Sequence, residues 1–358
     1  MSLPMPGHDG TEILFLNRQE VEEACRGMDL PAVVGRALVR HTRGETALPE
    51  EAYLPWTAPD GAAARCLAMP GALRNDGDGW TYGIKIINGC LSNPSRGLAR
   101  AQGVIMLFDP QTARPVALLE AAYISAMRTA AVTAVTAARL GVPRLARMAV
   151  LGCGTLARAH LRLLPAVLPD LRQISLFDLD PSACRRLGDD LRAGHPDLKV
   201  VEAEGPRECV AGAQLVVPVT TTTSGYIAFD WLAPGALIAH VSLDDLLPEV
   251  VQRADLVLVD DWGLVAADSR RLLGRMYRSG DLLAPDGARF HDAPAKAGVR
   301  RVDGHLGDVL AGVHPGRRSA EDIVVSNPFG MALLDVAVAH EVVAAAAGSA
   351  ALGRPLTL

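Results

Sequence analysis

The chain has 358 residues, with 35 Lys plus Arg against 40 Asp plus Glu, a formal net charge of −5, and 49% hydrophobic and 21% charged residues. These proportions belong to a globular protein with enough chain for two domains or one large one, and they exclude a disordered chain. The mildly acidic balance has no basic block, so it gives no footprint for nucleic acid, and Arg, Asp, Gly or Pro breaks each apolar run before it could span a bilayer.

In chain order, the opening MSLPMPGHDGTEILFL lacks the basic-then-apolar order of a signal peptide, which implies a cytoplasmic protein. Glu20 to His41 has helical periodicity. Ala64–Met69, Thr81–Ile87, Gly103–Asp109 and Val116–Glu120 read as short strands, with Asp109-Pro110 opening a turn. Ala121–Leu140 reads as a long helix stopped by Gly141-Val142-Pro143. From Arg147 the pattern becomes regular β-α alternation. Met148–Leu151 has the unbroken apolar run of a strand buried on both faces. A Gly-rich turn and a helix over Leu156–Leu168 follow it. Further strands are expected at Gln173–Phe177, Lys199–Ala203, Leu215–Val219, Ala236–Ser242 and Leu256–Val259. Trp262 to Arg318 reads as helix plus loop, and from Glu321 the chain returns to strand, turn and long helix.

This order predicts an α/β protein. A Rossmann-type, doubly wound parallel sheet over 129–319 is inserted in a second, α+β domain made of 1–128 plus 320–358. The six cysteines are scattered without a CxxC pair and read as free thiols. No Cys or His spacing suggests a metal.

Gly152-Cys153-Gly154-Thr155-Leu156-Ala157 fits GxGxxA between a buried-type strand and a helix. In that context it is a dinucleotide fingerprint. Gly152 permits the tight turn, Gly154 lets backbone approach a pyrophosphate, and Ala157 keeps the helix near the sheet. The helix N-terminus at Thr155-Leu156 offers N–H groups and a positive dipole end to the anion. Asp178 ends the next strand, where a carboxylate reads the adenosine ribose, with Asp180 as the alternative. An acid there repels a 2′-phosphate, so NAD is favoured, although Arg185-Arg186 stand nearby. Thr220 and Thr221 end the fourth strand of the sheet, where hydroxyls meet ribose or nicotinamide or simply cap a turn.

Outside this unit, Gly83-Ile84-Lys85, Asn93-Pro94-Ser95, Gly103-Val104-Ile105, Glu120, Ser125-Ala126-Met127-Arg128-Thr129-Ala130-Ala131 and Asn327-Pro328-Phe329-Gly330-Met331 occur in a recognisable order. With GCGTLA, they resemble the ornithine cyclodeaminase/μ-crystallin family over nearly the whole chain. The segments SNPSRGLARAQGVIMLFDPQT, FDWLAPGALIAHVSLDDL and NPFGMALLD are similar to one branch of it. That branch oxidatively hydrolyses N-(2-amino-2-carboxyethyl)-L-glutamate, making L-2,3-diaminopropionate for siderophores and peptide antibiotics. The cyclodeaminase patterns N-A-V-G-x-D and F-D-S-x-G are missing. The resemblance implies an NAD-dependent amino-acid dehydrogenase that forms a homodimer through the non-Rossmann domain. The alternatives are a cyclodeaminase using NAD catalytically, a ketimine reductase, or a small-ligand binder.

The chain has three lysines among 35 Lys plus Arg, so each is informative. Lys85 stands between isoleucines on an expected strand. Desolvation there lowers its pKa and suits it to proton transfer. The resemblance implies that Lys85, Arg65 and Phe329 meet the substrate and that Ser242 meets the cofactor. It also implies a catalytic aspartate at Asp244 or Asp245, with Asp245 activating water. An N-cap for a helix near Leu246 is the plainer reading of that pair. Arg128 lies among apolar residues and needs an anion: a substrate carboxylate, a cofactor phosphate, or an internal acid such as Glu120. His240 is either a proton shuttle or a satisfied core histidine, and Asp260-Asp261 read as structural.

Overall fold

The computed structural model describes residues 12–76, 79–349 and 351–357. Most of the opening stretch read for a signal peptide lies outside them. The chain divides into two compact units, Met1–Arg128 with Gly330–Leu358, and Thr129–Phe329.

The first unit is built on an eight-stranded sheet. Its long antiparallel strands Ala63–Arg74, Trp80–Cys90 and Ala101–Phe108 lie side by side. Strand Pro115–Glu120 continues the sheet and pairs in parallel with Glu12–Leu16. Two helices, Leu30–Thr42 and Ala332–Ala347, pack together, and the second lies on the long strands. Ala332–Ala347 is apolar on most sides, and eleven of its sixteen residues are buried, with Ala344, Ala345 and Ala347 exposed toward its end. The sheet admits it closely because Gly71 lacks a side chain: a Cβ there would stand 3.1 Å from the Leu333 nitrogen.

Where one periodic stretch was expected over Glu20–His41, there are two helices, Arg18–Ala24 and Leu30–Thr42. Gly27 at φ +77° turns the chain between them, and Asp29 caps the second. Strands Glu12–Leu16, Ala52–Thr57 and Arg354–Thr357 were not anticipated. The last two are exposed along their whole length and carry no inward alternation to read.

The second unit holds an eight-stranded, wholly parallel sheet. Its strands run in the order Lys199–Glu202, Gln173–Phe177, Arg147–Leu151, Leu215–Pro218, Leu237–Ala239, Val324–Asn327, Leu256–Val259 and Gly304–His305. The first five follow the 3-2-1-4-5 order of a doubly wound sheet, with a switch point between Arg147–Leu151 and Leu215–Pro218. Val324–Asn327 corrects the expected boundary at 320. It pairs with Leu237–Ala239 and Leu256–Val259 inside this sheet, so the chain leaves the unit after Phe329. Its four residues are all buried, the apolar signature of a central parallel strand. The helix-plus-loop zone contains helices Trp262–Ala267, Leu272–Arg278 and Leu306–Leu310 and several two-residue strands. No described helix is long and apolar enough to cross a membrane.

Candidate active site

Each unit carries a buried polar cluster. In the first unit, Lys85 inverts the usual arrangement of an alternating strand. Its isoleucine neighbours are half-buried, whereas the lysine is 1% exposed. The Lys85 Nζ donates to Asp335 Oδ2 at 2.6 Å and lies 3.4 Å from Ser125 Oγ. Arg128 Nε donates to the other oxygen of the same carboxylate at 3.2 Å. Asp335 is fully buried and therefore bridges two cations. Burial pushes the Lys85 ammonium down to about 8, against the opposing pull of Asp335 and with the added repulsion of Arg128. The amine is thus poised to exchange a proton near neutrality, which an ordinary lysine is not.

Of the readings open for Arg128, the structure shows an internal acid, and the acid is Asp335. Glu120 is occupied as the cap of helix Ala121–Leu140, accepting from the backbone nitrogens of Ala122 and Tyr123 at 2.8 and 3.0 Å. The Arg128 guanidinium passes over Gly330, where a Cβ would stand 3.1 Å from Nη1. Asp335 lies within the NPFGMALLD segment but was not singled out as a site residue. An acid in the first turn of a helix that is otherwise apolar up to His340 was the signal, because such a charge must find a cation. Arg65 lies half-buried on strand Ala63–Arg74.

In the second unit, the fingerprint sits at the switch point. Gly152 adopts φ +92°, and a Cβ there would stand 3.0 Å from the Val219 carbonyl oxygen, so only glycine fits. Gly154 and Thr155 are exposed, and a Cβ on Gly154 would meet only open space. Helix Thr155–Val167 starts at Gly154 with no side-chain cap, leaving its first N–H groups for an anion. Leu156 is half-buried behind them, and Ala157 is fully buried against the sheet. Asp178 accepts from the Cys153 nitrogen at 2.6 Å and from the Asp180 nitrogen at 2.9 Å. Asp180 caps helix Pro181–Gly194 and contacts Arg186, so Asp178 is the acid joined to the Gly-rich turn. A cavity of about 340 Å³ beside it is lined by Phe177, Asp178, Leu179, Glu202 and Glu204, among others. The open Gly154, the uncapped helix end and the acid-lined cavity together fit a dinucleotide with a free 2′-hydroxyl.

A second cluster gathers at the carboxyl ends of neighbouring strands. Asp245 is fully buried. Its Oδ1 accepts from Thr220 Oγ1 at 2.7 Å and Tyr226 Oη at 2.9 Å, and its Oδ2 contacts Ser242 Oγ. Ser242 Oγ also lies 2.8 Å from the Pro218 carbonyl oxygen. Thr221 is exposed beside this group. His240 Nε2 lies 3.8 Å from Asp245 Oδ2. Asn327 Nδ2 donates to the His240 carbonyl at 3.0 Å and faces His240 Nδ1 at 2.8 Å. A carbonyl only accepts, so the amide orientation is fixed, Nδ1 accepts too, and the ring proton sits on Nε2, toward Asp245. Burial holds the His240 imidazole down at about 4, hence neutral.

The two aspartates are therefore distinct. Asp244 forms a two-point ion pair with Arg275, at 2.8 and 3.2 Å, while Asp245 gathers hydroxyls. Neither caps a helix: the next one, Pro248–Arg253, begins at Leu247 without a side-chain cap. Phe329 packs under the Arg271 guanidinium, 4.0 Å from the ring centroid. Its backbone nitrogen donates to Asp260 at 2.7 Å and its carbonyl accepts from Arg271 at 2.8 Å. These bonds fasten Phe329 within its own unit.

The sequence matches the ornithine cyclodeaminase/mu-crystallin family over residues 11–349. It is 31% identical to N-((2S)-2-amino-2-carboxyethyl)-L-glutamate dehydrogenase of Staphylococcus aureus (strain NCTC 8325 / PS 47), over 92% of this chain and 94% of that protein. The crystal structure of CmnK is 41% identical, with a TM-score of 0.87 covering 97% of this chain and 99% of that one. At 22% identity, Thermococcus litoralis Delta(1)-pyrroline-2-carboxylate reductase in complex with NADH and L-proline has a TM-score of 0.81, covering 96% of this chain and 100% of that one, and shares the fold.

Proposed function

Because the chain belongs to the ornithine cyclodeaminase/mu-crystallin family, we propose that it is an NAD-dependent amino-acid dehydrogenase acting on N-(2-amino-2-carboxyethyl)-L-glutamate. The products are 2-oxoglutarate and L-2,3-diaminopropionate. The observation that carries this reading is a buried lysine whose pKa is brought to about 8 beside a carboxylate, in a chain with a dinucleotide fingerprint. The dehydrogenase named among its relatives supports the substrate.

NAD supplies the hydride acceptor when bound. Gly152, Gly154, Thr155 and Leu156 would hold its pyrophosphate, and Asp178 its adenosine ribose. Thr220, Thr221 and Ser242 would meet its nicotinamide end, with the Thr220 and Ser242 hydroxyls set by Asp245. Neutral Lys85 takes the proton from the substrate's secondary ammonium, because a cationic nitrogen has no lone pair with which to form the imine. It then serves water addition at the imine carbon, the former glutamate Cα, whose C–N bond breaks to leave the ketone of 2-oxoglutarate and the amine of L-2,3-diaminopropionate. Arg65 holds a substrate carboxylate. Arg128 acts with Asp335 to set the Lys85 proton affinity, and Asp245 acts through the hydroxyls it orders. The protein acts as a homodimer through its first unit. Strand Ala52–Thr57, with Leu54 64% and Trp56 46% exposed, is the apolar edge that a second copy would cover.

The test is to incubate the protein with NAD⁺ and N-(2-amino-2-carboxyethyl)-L-glutamate and measure NADH, 2-oxoglutarate and ammonia. NADH and 2-oxoglutarate in equal amounts are expected. Ammonia without NADH, with ornithine or lysine as substrate, is the cyclodeaminase result. Asp178→Ser tests the ribose assignment: the ratio of kcat/KM with NAD⁺ to that with NADP⁺ should fall about tenfold or more, as the charge opposing a 2′-phosphate is lost. An unchanged ratio assigns Asp178 to the loop alone.

A further inference from the structure

The segment SNPSRGLAR folds into a short 3-10 turn, Asn93–Arg96, closed by left-handed Gly97. Asn93 Nδ2 donates to the Ala99 carbonyl at 3.1 Å, and the Cys90 nitrogen donates to the Arg100 carbonyl at 3.0 Å. This fixes the backbone of Arg100 at the mouth of the hairpin between Trp80–Cys90 and Ala101–Phe108. Its guanidinium comes over Gly89, with Nη1 4.0 Å from where a Cβ would stand. Gly89 is the cross-strand partner of Arg65. Directly opposed residues share a face of the sheet, so the two guanidiniums meet above a position that has no side chain to separate them.

Among the described residues neither guanidinium makes a hydrogen bond or an ion pair. The nearby acid Asp60 is bound to Arg96 at 2.5 Å. Burial, and then the Arg65 charge, push the Arg100 guanidinium below its ordinary value. Two half-buried like charges side by side are costly unless an anion joins them.

The register relates this pair to Lys85. Lys85 opposes Met69, and Arg65 opposes Gly89, four residues further along both strands. Alternation puts all of these on one face, about 13 Å apart along the strand. Leu67 and Ile87, an opposed pair on the same face, stand between them. The side chains of lysine and arginine narrow that gap from both ends toward the length of a five-carbon amino acid.

We propose that Arg100 and Arg65 together form a receptor for the side-chain carboxylate of the substrate, so that Arg100 selects amino acids bearing this additional carboxylate. The proposal rests on the dehydrogenase reading for its substrate, but the anion site can be tested without it. Arg100→Gln should lower kcat/KM for N-(2-amino-2-carboxyethyl)-L-glutamate about 100-fold, mainly through KM. The same variant should change kcat/KM by less than about threefold for the analogue whose side-chain carboxylate is an amide. Equal losses on both substrates, or no loss on either, would overturn the assignment. Glutarate serves as a probe independent of turnover: it should raise the thermal midpoint of the wild-type protein and not that of Arg100→Gln, while Arg100→Lys should retain part of the shift. If the wild-type protein oxidises no such substrate yet glutarate still discriminates the variants, the dehydrogenase reading fails and the anion site stands. If glutarate stabilises neither protein, or if Arg100→Gln changes the sedimentation coefficient, the pair is not a ligand site.

Discussion

Lys85→Met is expected to lower kcat by about 10²- to 10⁴-fold, the range lost with a general base. The methionine keeps the length and bulk of a side chain that is 1% exposed, so no cavity opens. Asp335 retains Arg128 as its partner at 3.2 Å, so no buried anion is stranded. The unfolding midpoint should therefore stay close to that of the wild-type protein, which separates loss of a proton acceptor from loss of fold. The pH dependence adds the sign. A lysine lowered from 10.5 to about 8 is increasingly neutral as pH rises through that value. Wild-type kcat/KM should rise toward pH 8 and then level, and this limb should vanish in Lys85→Met. A variant with full turnover, or one that keeps the limb, assigns the base elsewhere.

Asp335→Asn should have the largest effect on stability. Asp335 is a fully buried carboxylate between two buried cations, and its replacement leaves Lys85 and Arg128 without a counter-charge. Breaking such a pair from one side costs about 3–5 kcal/mol. The loss should appear as faster hydrogen exchange in helix Ala332–Ala347 and strand Trp80–Cys90. Protection in the parallel sheet of the second unit, which has its own core, should change little. The substitution also removes the main influence holding the Lys85 pKa up, so any residual activity should show its limb at lower pH. Arg128→Gln removes a repulsion and should move the limb the other way. Shifts in the same direction for both variants would contradict the triad.

The parts of this protein that were legible in its sequence are those where local pattern and global role coincide. The run Met148–Leu151, the GxGxxA turn and Asp178 lie within one strand-turn-helix-strand stretch, so their relation needs no knowledge of distant chain. Helix Ala121–Leu140 has the bounds that its Gly-Val-Pro stop suggested. Lys85 stood out because lysine is rare here and because isoleucines flank it. The misses are long-range. Strand Val324–Asn327 enters the parallel sheet between strands that precede it in sequence, and an apolar run does not say which sheet it will join. Asp335 meets Lys85 across 250 positions. Its charge announced a partner, but only the fold shows that the partner is Lys85. Asp244 and Asp245 are adjacent in sequence, and what separates them is the company each keeps: Arg275 for the one, and Thr220, Tyr226 and Ser242 for the other.

In the proposed reaction the bond broken by oxidation is the glutamate Cα–H, with no return of that hydrogen to the amino-acid product. N-(2-amino-2-carboxyethyl)-L-glutamate carrying deuterium at that carbon tests it in one experiment with NAD⁺. One deuterium in NADH is expected for each 2-oxoglutarate released, and none in L-2,3-diaminopropionate. Deuterium retained in an amino-acid product, or ammonia released without net NADH, would contradict it.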